Sequence, residues 1–191
     1  MLIYRFFFFF FFGWIGVANA QEILSLGTPY IEQFKKSNYK AGNQNWSIAS
    51  DSKGIIYIAN TNGLLAYDGA YWKLYPSHNN GALRSISIGA DNRIYTGGKA
   101  EFGYWEPQAD GQLKYHSLSS QLDKALLKHD EIWKIIAYKD SFYFQSFSKC
   151  YVYKNGKISI MDGSGEPFLF THKHQGSLYI ERIPRGLHQV K

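Results

Sequence analysis

The chain has 191 residues, a formal net charge of +6, one cysteine and 34 aromatic residues (14 Phe, 15 Tyr and 5 Trp). The single Cys150 excludes an internal disulfide, so the fold must depend on its apolar core. The aromatic content excludes low-complexity disorder, and the scattered basic side chains indicate a solvated surface rather than a nucleic-acid interface.

The first twenty residues have the pattern of a secretory signal peptide. Arg5 precedes an apolar stretch with seven consecutive phenylalanines, and Ala18 and Ala20 form a small-x-small cleavage site before Gln21. The stretch is shorter than the roughly 20 residues of a membrane-spanning helix; a retained anchor is the alternative interpretation. We therefore predict a signal peptide over residues 1–20 and an exported, periplasmic chain.

Residues 21–45 are predicted to form an N-terminal segment that precedes a set of repeats. Its stretch from Thr28 to Phe34 is strand-like. In a closed β-propeller such a segment can provide the outer strand of the last blade, so we regard it as a candidate closing strand.

Residues 46–191 contain four segments that superimpose when each is anchored on a tyrosine. The units start near residues 46, 84, 132 and 168, and each reads as short apolar strands separated by polar turns. The turns Asp68-Gly69, Asp110-Gly111 and Asn155-Gly156 are strong hairpin signals. Four antiparallel strands in about 40 residues are typical of a propeller blade. The anchors are Tyr57, Tyr95, Tyr143 and Tyr179.

The predicted fold is therefore all-β, a partial β-propeller of about three and a half four-stranded antiparallel blades. A β-sandwich is the alternative, but it does not require self-similarity at a fixed offset. Leucines at positions 118, 122 and 126 predict a short helical insertion near 119–131, between two blades. Since propellers close with four to eight blades, we expect the chain to be the N-terminal part of a longer protein or a truncated gene product.

Several of these segments resemble the opening of the two-component-regulator propeller proteins, a family of bacterial sensors. They are Gly27-Thr-Pro-Tyr-Ile-Glu-Gln-Phe34, Asn45-Trp-Ser-Ile48 and the run from Gly54 to Gly69, with Glu101-Phe-Gly-Tyr104 resembling the second repeat. The resemblance covers about Gly27 to Lys191 and is most specific in the first two units. It implies a periplasmic sensor propeller that binds an extracytoplasmic cue.

In full-length relatives, the resemblance implies a triple-tyrosine domain, a transmembrane helix and a cytoplasmic output module after the propeller. That module is either a helix-turn-helix DNA-binding domain or a histidine kinase. For this chain, the expected partners are an unknown small-molecule or glycan ligand, the missing C-terminal blades and the triple-tyrosine domain. The fragment itself is expected to contact no nucleic acid, whereas the full-length parent would be anchored in the inner membrane and could form a dimer.

No local pattern indicates catalysis. Cys150 has no oriented histidine placed beside it by the sequence, and no Gly-x-Ser-x-Gly elbow occurs. His172 and His174 share one face of a predicted strand, but no third metal ligand is placed near them. We expect no enzymatic activity and no cofactor. The alternatives are a secreted propeller enzyme, such as a polysaccharide lyase or hydrolase, and a secreted carbohydrate-binding scaffold.

Tryptophans recur at strand positions in successive units and favour blade-to-blade packing over sugar-binding platforms. They are Trp46, Trp72, Trp105 and Trp133.

The candidate ligand site is the propeller face that collects the loops between blades and those between second and third strands. These loops are polar and longer than the turns on the opposite face, and loops on a rigid scaffold usually carry binding groups. We predict that six residues of this face bind the ligand: Asn60, Asn62, His78, Asn79, Lys99 and Glu101.

Overall fold

The computed structural model describes residue 27, residues 30–163 and residues 165–190. The predicted signal peptide, with its cleavage site at Ala18 and Ala20, lies outside the described residues. The chain divides into two units, residues 1–33 and residues 34–191. In the first unit, the described residues carry no helix or strand, so the closing strand predicted within residues 21–45 stays a prediction.

The described part of the second unit contains four antiparallel sheets whose strands are hydrogen-bonded in chain order. The first blade consists of β1 (Asn45–Ser50), β2 (Ile56–Asn60), β3 (Gly63–Tyr67) and β4 (Trp72–Pro76). The second consists of β5 (Leu83–Ile88), β6 (Ile94–Gly98), β7 (Glu101–Pro107) and β8 (Leu113–Ser117). The third consists of β9 (Lys134–Tyr138), β10 (Ser141–Gln145), β11 (Lys149–Lys154) and β12 (Lys157–Asp162). The fourth consists of β13 (Phe168–His174), β14 (Ser177–Arg182) and β15 (Gly186–Val190).

Helical structure in the second unit is confined to short pieces. Helix α1 (Lys36–Tyr39) precedes β1. A 3-10 turn (Ser119–Gln121) and helix α2 (Lys124–Leu127) lie between the second and third blades. The helical insertion predicted near 119–131 is therefore confirmed.

The four sheets are arranged as successive blades of a propeller. Their first strands β1, β5, β9 and β13 pack against one another in order, which places them on the inner side of the arc. The three four-stranded blades and the three-stranded fourth blade confirm the predicted all-β, partial β-propeller. Each of the four anchoring tyrosines lies on the second strand of its blade.

The core consists of side chains packed between blades. Between the first and second blades the buried residues include Tyr57, Leu64, Ile94 and Trp105. Between the second and third blades the interface is largely aromatic: Phe142 stacks on Tyr95 with ring centroids 3.6 Å apart, and Phe102 lies 4.6 Å from Phe144. Fully burying one such side chain stabilises the fold by about 1.5–3 kcal/mol, so these interfaces hold the blades together without a disulfide.

Residues that follow the first unit cover the outer face of the first blade. Ala41 belongs to a small core cluster with Ile58 and Leu65. The rings of Phe34 and Tyr39 lie 5.1 and 5.8 Å from the ring of Trp72. This packing shields one side of the blade that would otherwise expose apolar surface to water.

The four tryptophans do not share one packing position. Trp105 is buried between blades and donates its Nε1–H to Thr96 Oγ1 at 2.9 Å, as expected of a blade-packing residue. Trp46 and Trp133 instead lie near each other on the inner side of the arc, with ring centroids 6.1 Å apart. Both contact Arg84 of the second blade, so they also make contacts between blades, but at the inner edge of the arc rather than in the buried core.

Candidate functional site

A polar recess of about 460 Å³ lies on the loop face, which carries the β2–β3, β4–β5 and β6–β7 connections and the helical insertion. Its wall combines the β4–β5 loop, the start of β7, the end of β8 and the insertion. The lining residues are His78, Asn79, Ala100, Glu101, Ser117, Ser119, Ser120, Lys124 and Leu127.

The insertion is ordered by a helix cap and anchored to the blades by a buried leucine and a β-bridge. Asp123 caps helix α2, because its side chain accepts a hydrogen bond from the Ala125 N–H at 2.9 Å. Leu127 is buried in the core between the second and third blades. Beyond the helix, a β-bridge between Lys99 and Glu131 ties the insertion to the β6–β7 connection. The exposed Lys124 is thus presented to the recess by an anchored segment.

Glu101 contributes a carboxylate to the wall of the recess. Its Oε1 accepts hydrogen bonds from the Tyr115 hydroxyl at 2.8 Å and from Ser117 Oγ at 2.7 Å. No hydrogen bond to Oε2 occurs within the described residues. A side chain at Gly103 would approach the Tyr115 hydroxyl to 2.6 Å, so this glycine leaves the room that Tyr115 needs to reach the carboxylate.

Burial and the neighbouring Glu101 together set the ionisation state of the Tyr115 hydroxyl. Burial, followed by the negative charge and the hydrogen bond of Glu101, raises the pKa of Tyr115 far above its ordinary value. Tyr115 therefore remains protonated and donates to Glu101, which leaves the second carboxylate oxygen available to a ligand.

The β4–β5 loop brings His78 to the same recess. Asn79 stabilises this loop, because its Oδ1 accepts from Gly81 N–H and its Nδ2 donates to the Lys99 carbonyl, each at 3.0 Å. His78 is exposed, and its ring centroid lies 5.6 Å from that of Tyr115. The recess thus offers a carboxylate, an imidazole, an ammonium and several hydroxyls, a set suited to a polar ligand rich in donors and acceptors.

Three of the six predicted ligand residues, His78, Asn79 and Glu101, line this recess. Lys99 is exposed beside it and contributes its carbonyl to Asn79. Asn62 is exposed on the first blade and does not line the recess. Ligand binding by any of these side chains stays a prediction.

Asn60 is placed very differently from the other five. Its side chain is fully buried, and it accepts from the Gly42 N–H at 2.9 Å and donates to the Gly42 carbonyl at 2.8 Å. Its Nδ2 also donates to Asn45 Oδ1 at 2.6 Å. In this structure the Asn60 amide connects strand β2 to the segment before β1, because a buried amide needs such partners.

Several lining residues were not identified from the sequence. The sequence assigns the insertion to the ligand face without singling out Ser119, Ser120 and Lys124 within it, and it does not single out Ser117 at the end of β8. Tyr115 was missed as well. Pairing of β7 with β8 was the available signal, since it places the end of β8 next to Glu101 at the start of β7.

The described residues contain no group of three or more His, Cys, Asp or Glu side chains that could hold a metal ion. His172 and His174 are both exposed on β13. Cys150 is buried, and burial raises the pKa of its thiol to about 12. Across the described ranges, no helix is both long and apolar enough to cross a membrane.

Comparison with solved structures finds proteins with the same kind of fold. Two are crystal structures of the extracellular domain of BT4673 from B. thetaiotaomicron, described as a putative one-component system and as a putative hybrid two-component system. Their TM-scores are 0.59 and 0.60, at sequence identities of 18% and 19%. The matched regions cover 81% and 80% of this chain, but 22% and 20% of the two BT4673 chains. The chain therefore spans about a fifth of the length of these structures.

A third similar structure is YCF48 from Cyanidioschyzon merolae, with a TM-score of 0.54 and 11% identity. The matched region covers 74% of this chain and 48% of the YCF48 chain. No protein-family model and no curated protein sequence matches the chain. At these identities, the likeness to the solved structures concerns the fold.

Proposed function

We propose that the chain is the ligand-sensing, extracytoplasmic propeller region of a signal-transducing protein, either a transcription regulator or a two-component sensor. The observation that carries this proposal is the recess on the loop face. There, three residues predicted from the sequence meet four polar residues at the end of β8 and in the helical insertion. The output domain, whether a kinase or a DNA-binding module, would belong to the longer parent.

Two further observations support this proposal. The fold is similar to that of extracellular domains from a putative two-component system, and residues 1–20 have the pattern of an export signal. The proposed ligand is a small polar molecule or a glycan, because the recess combines hydroxyls with groups of opposite charge. The proposed location is the periplasm, with the parent anchored in the inner membrane.

The test is a binding experiment on the chain after removal of the export signal. A panel of polar metabolites and oligosaccharides is screened by thermal shift, and the affinity of each hit is measured by calorimetry. We expect Glu101→Gln and Lys124→Ala each to weaken binding at least about tenfold, as loss of a charged hydrogen-bonding partner does. A matched control is Asp110→Asn, an exposed carboxylate on the opposite face that, among the residues that the structure describes, accepts from the Gln112 N–H alone.

The result would contradict the proposal if the ligand bound both recess variants as tightly as the unmodified chain. Equal loss in the Asp110→Asn control would also contradict it, since that side chain lies on the other face.

A propeller enzyme is the second candidate, because Glu101, Tyr115 and His78 converge in one recess. The raised pKa of Tyr115 argues against its use as a base, since the phenol stays protonated. Incubating each hit with the chain and following it by NMR distinguishes the two functions. Product that forms with the unmodified chain and not with Glu101→Gln would favour the enzyme.

A further inference from the structure

A cluster of aromatic and charged side chains lies at the inner side of the arc, apart from the recess. We call Trp46, Arg84, Glu131, Trp133 and Phe147 the inner-edge cluster. Trp46 and Arg84 are the second residues of β1 and β5, and Trp133 directly precedes β9. The three side chains therefore come from corresponding places in three successive blades.

The guanidinium of Arg84 is positioned by two indole rings and one carboxylate. Its central carbon lies 3.8 Å from the centroid of Trp46 and 5.3 Å from that of Trp133. Its Nε donates to Glu131 Oε1 at 2.5 Å. Aromatic faces attract a guanidinium and restrict its orientation, so this arginine is held in one geometry before any ligand arrives.

The terminal nitrogens of Arg84 remain available. Within the described residues, the guanidinium donates to Glu131 through Nε alone. The Arg84 side chain is 19% exposed, and its terminal nitrogens are in contact with solvent rather than buried without a partner. The free edge of a guanidinium presents two parallel N–H groups, which match the two oxygens of a carboxylate.

The inner-edge cluster also exposes apolar surface. Trp46 is 39% exposed and Phe147 is 45% exposed. The ring of Phe147 lies 5.8 Å from that of Trp133. An arginine that served only to join blades would not require exposed aromatic side chains in its cluster, whereas a ligand with a ring or apolar body would pack on them.

We propose that the inner-edge cluster is a second binding site, separate from the recess, for the carboxylate of a small organic acid. The carboxylate pairs with the terminal nitrogens of Arg84, and the apolar body lies against Trp46 and Phe147. Glu131 orients the guanidinium but also opposes an incoming anion, because its negative charge is at hydrogen-bond distance from the same group.

The probe is benzoate, titrated into the chain while tryptophan fluorescence is recorded. Benzamide has the same ring without the charge, and acetate has the carboxylate without the ring. We expect saturable quenching by benzoate, none by benzamide at the same concentrations, and weaker binding of acetate. Quenching by benzamide equal to that by benzoate would overturn the proposal, since the carboxylate would then contribute nothing.

Two substitutions test the residues. Arg84→Lys keeps the positive charge but loses the planar fork, and we expect at least about a tenfold loss of benzoate affinity. Glu131→Gln removes the opposing charge, and we expect benzoate to bind several-fold more tightly. The control is Arg93→Lys. Arg93 also lies over an aromatic ring, that of Tyr104 at 4.5 Å, but donates through Nε and Nη2 to Glu106, so benzoate affinity should not change.

The Glu131→Gln result keeps the proposal testable if Arg84→Lys does not fold, as judged by circular dichroism. Unchanged or weaker benzoate binding by Glu131→Gln overturns the proposal, because a purely structural ion pair predicts no gain. The recess variant Glu101→Gln should bind benzoate like the unmodified chain. Loss of binding at the inner-edge cluster can therefore be distinguished from loss of binding at the recess.

Discussion

The two faces of this propeller contain the same chemical pair, a carboxylate bonded to a tyrosine, in two different settings. On the turn face, which carries the β1–β2 and β3–β4 hairpins, Asp51 Oδ1 accepts from the N–H groups of Lys53 and Ile55, each at 2.9 Å, and Oδ2 lies 3.5 Å from the Tyr57 hydroxyl. On the loop face, Glu101 uses only Oε1, for Tyr115 and Ser117. Both carboxylate oxygens of Asp51 are engaged by residues of its own hairpin, whereas Oε2 of Glu101 has no hydrogen bond among the described residues.

The second blade repeats the turn-face arrangement. Asp91 accepts from the Arg93 N–H at 3.2 Å and from the Tyr95 hydroxyl at 3.0 Å. Burial, with a smaller contribution from the neighbouring aspartate, raises the pKa of Tyr57 to about 12 and raises that of Tyr95 as well. A carboxylate that organises a hairpin therefore recurs in the first two blades. In the helical insertion, Asp130 likewise accepts from a tyrosine and a serine, Tyr151 and Ser148, but it uses both of its oxygens, whereas Glu101 accepts through Oε1. The difference separates groups that build the fold from groups that are free to bind.

The largest expected effect is on the turn face. Asp51→Ala removes the acceptor for two backbone N–H groups and the partner of the partly buried Tyr57 hydroxyl, so we expect the free energy of unfolding to fall by about 2–3 kcal/mol. Urea denaturation measures this change. Asp110→Ala, which removes one exposed hydrogen bond to the Gln112 N–H, should cost less than about 1 kcal/mol. Equal losses in the two variants would show that the turn pair has no special role.

The pH dependence of stability gives the next effect. Tyr57 has an ordinary pKa of 10.0 and a pKa of about 12 in the folded chain. Between these values the unfolded chain loses the phenolic proton while the folded chain retains it, so the free energy of unfolding falls as the pH rises. We expect a shallower fall over this range in Tyr57→Phe, measured by urea denaturation at each pH.

The matched control for this measurement is Tyr71→Phe, which alters a ring that is 78% exposed. Its pH profile should coincide with that of the unmodified chain. Coincidence of the Tyr57→Phe profile as well would contradict the assignment of the raised pKa.

A smaller effect is expected on the loop face. Glu101→Gln retains an oxygen that accepts from Tyr115 and Ser117, so the free energy of unfolding should change by less than about 1 kcal/mol. Thermal and urea denaturation of the variant test this directly. A loss as large as that of Asp51→Ala would mean that Glu101 is a structural residue like Asp51, and the comparison between the faces would fail.

The smallest expected effect concerns Cys150, whose thiol we expect not to react with an alkylating reagent in the folded chain. Cys150 is buried in β11, and burial raises the pKa of its thiol to about 12. We therefore expect negligible alkylation by iodoacetamide at about pH 8 in the folded chain and rapid alkylation in urea. The same protection in Glu101→Gln would show that the recess variant leaves the third blade intact, whereas rapid labelling would show the opposite.

The strands and the insertion could be predicted because their signals are local. Alternating apolar residues, turn dipeptides such as Asp110-Gly111 and the spaced leucines near 118–126 act within a few residues of one another. His78 and Asn79 could be assigned to the ligand face because the β4–β5 loop must lie at the end of the blade. The arrangement around Glu101 was less visible, because Tyr115 reaches it through strand pairing across 14 residues.

Asn60 and Arg84 show why the remaining predictions could not be made. The buried Asn60 amide forms hydrogen bonds with Gly42, 18 residues away, and no residue pattern within β2 predicts that partner. Arg84 meets Glu131 across 47 residues and lies over indole rings from two other blades. Such contacts depend on how the blades are placed around their axis.

The amino-acid sequence by itself determined the strand repeat, the hairpins and the position of the helical insertion, because these follow from the backbone preferences and apolar alternation of neighbouring residues. Only the tertiary structure decided which polar side chains serve the fold and which remain available. Asn60 was buried by the chain that packs over it, while Glu101 and Arg84 kept unbonded atoms at the surface. The physical reason is that hydrogen-bond partners and solvent exposure are set by packing between blades, which no single repeat contains.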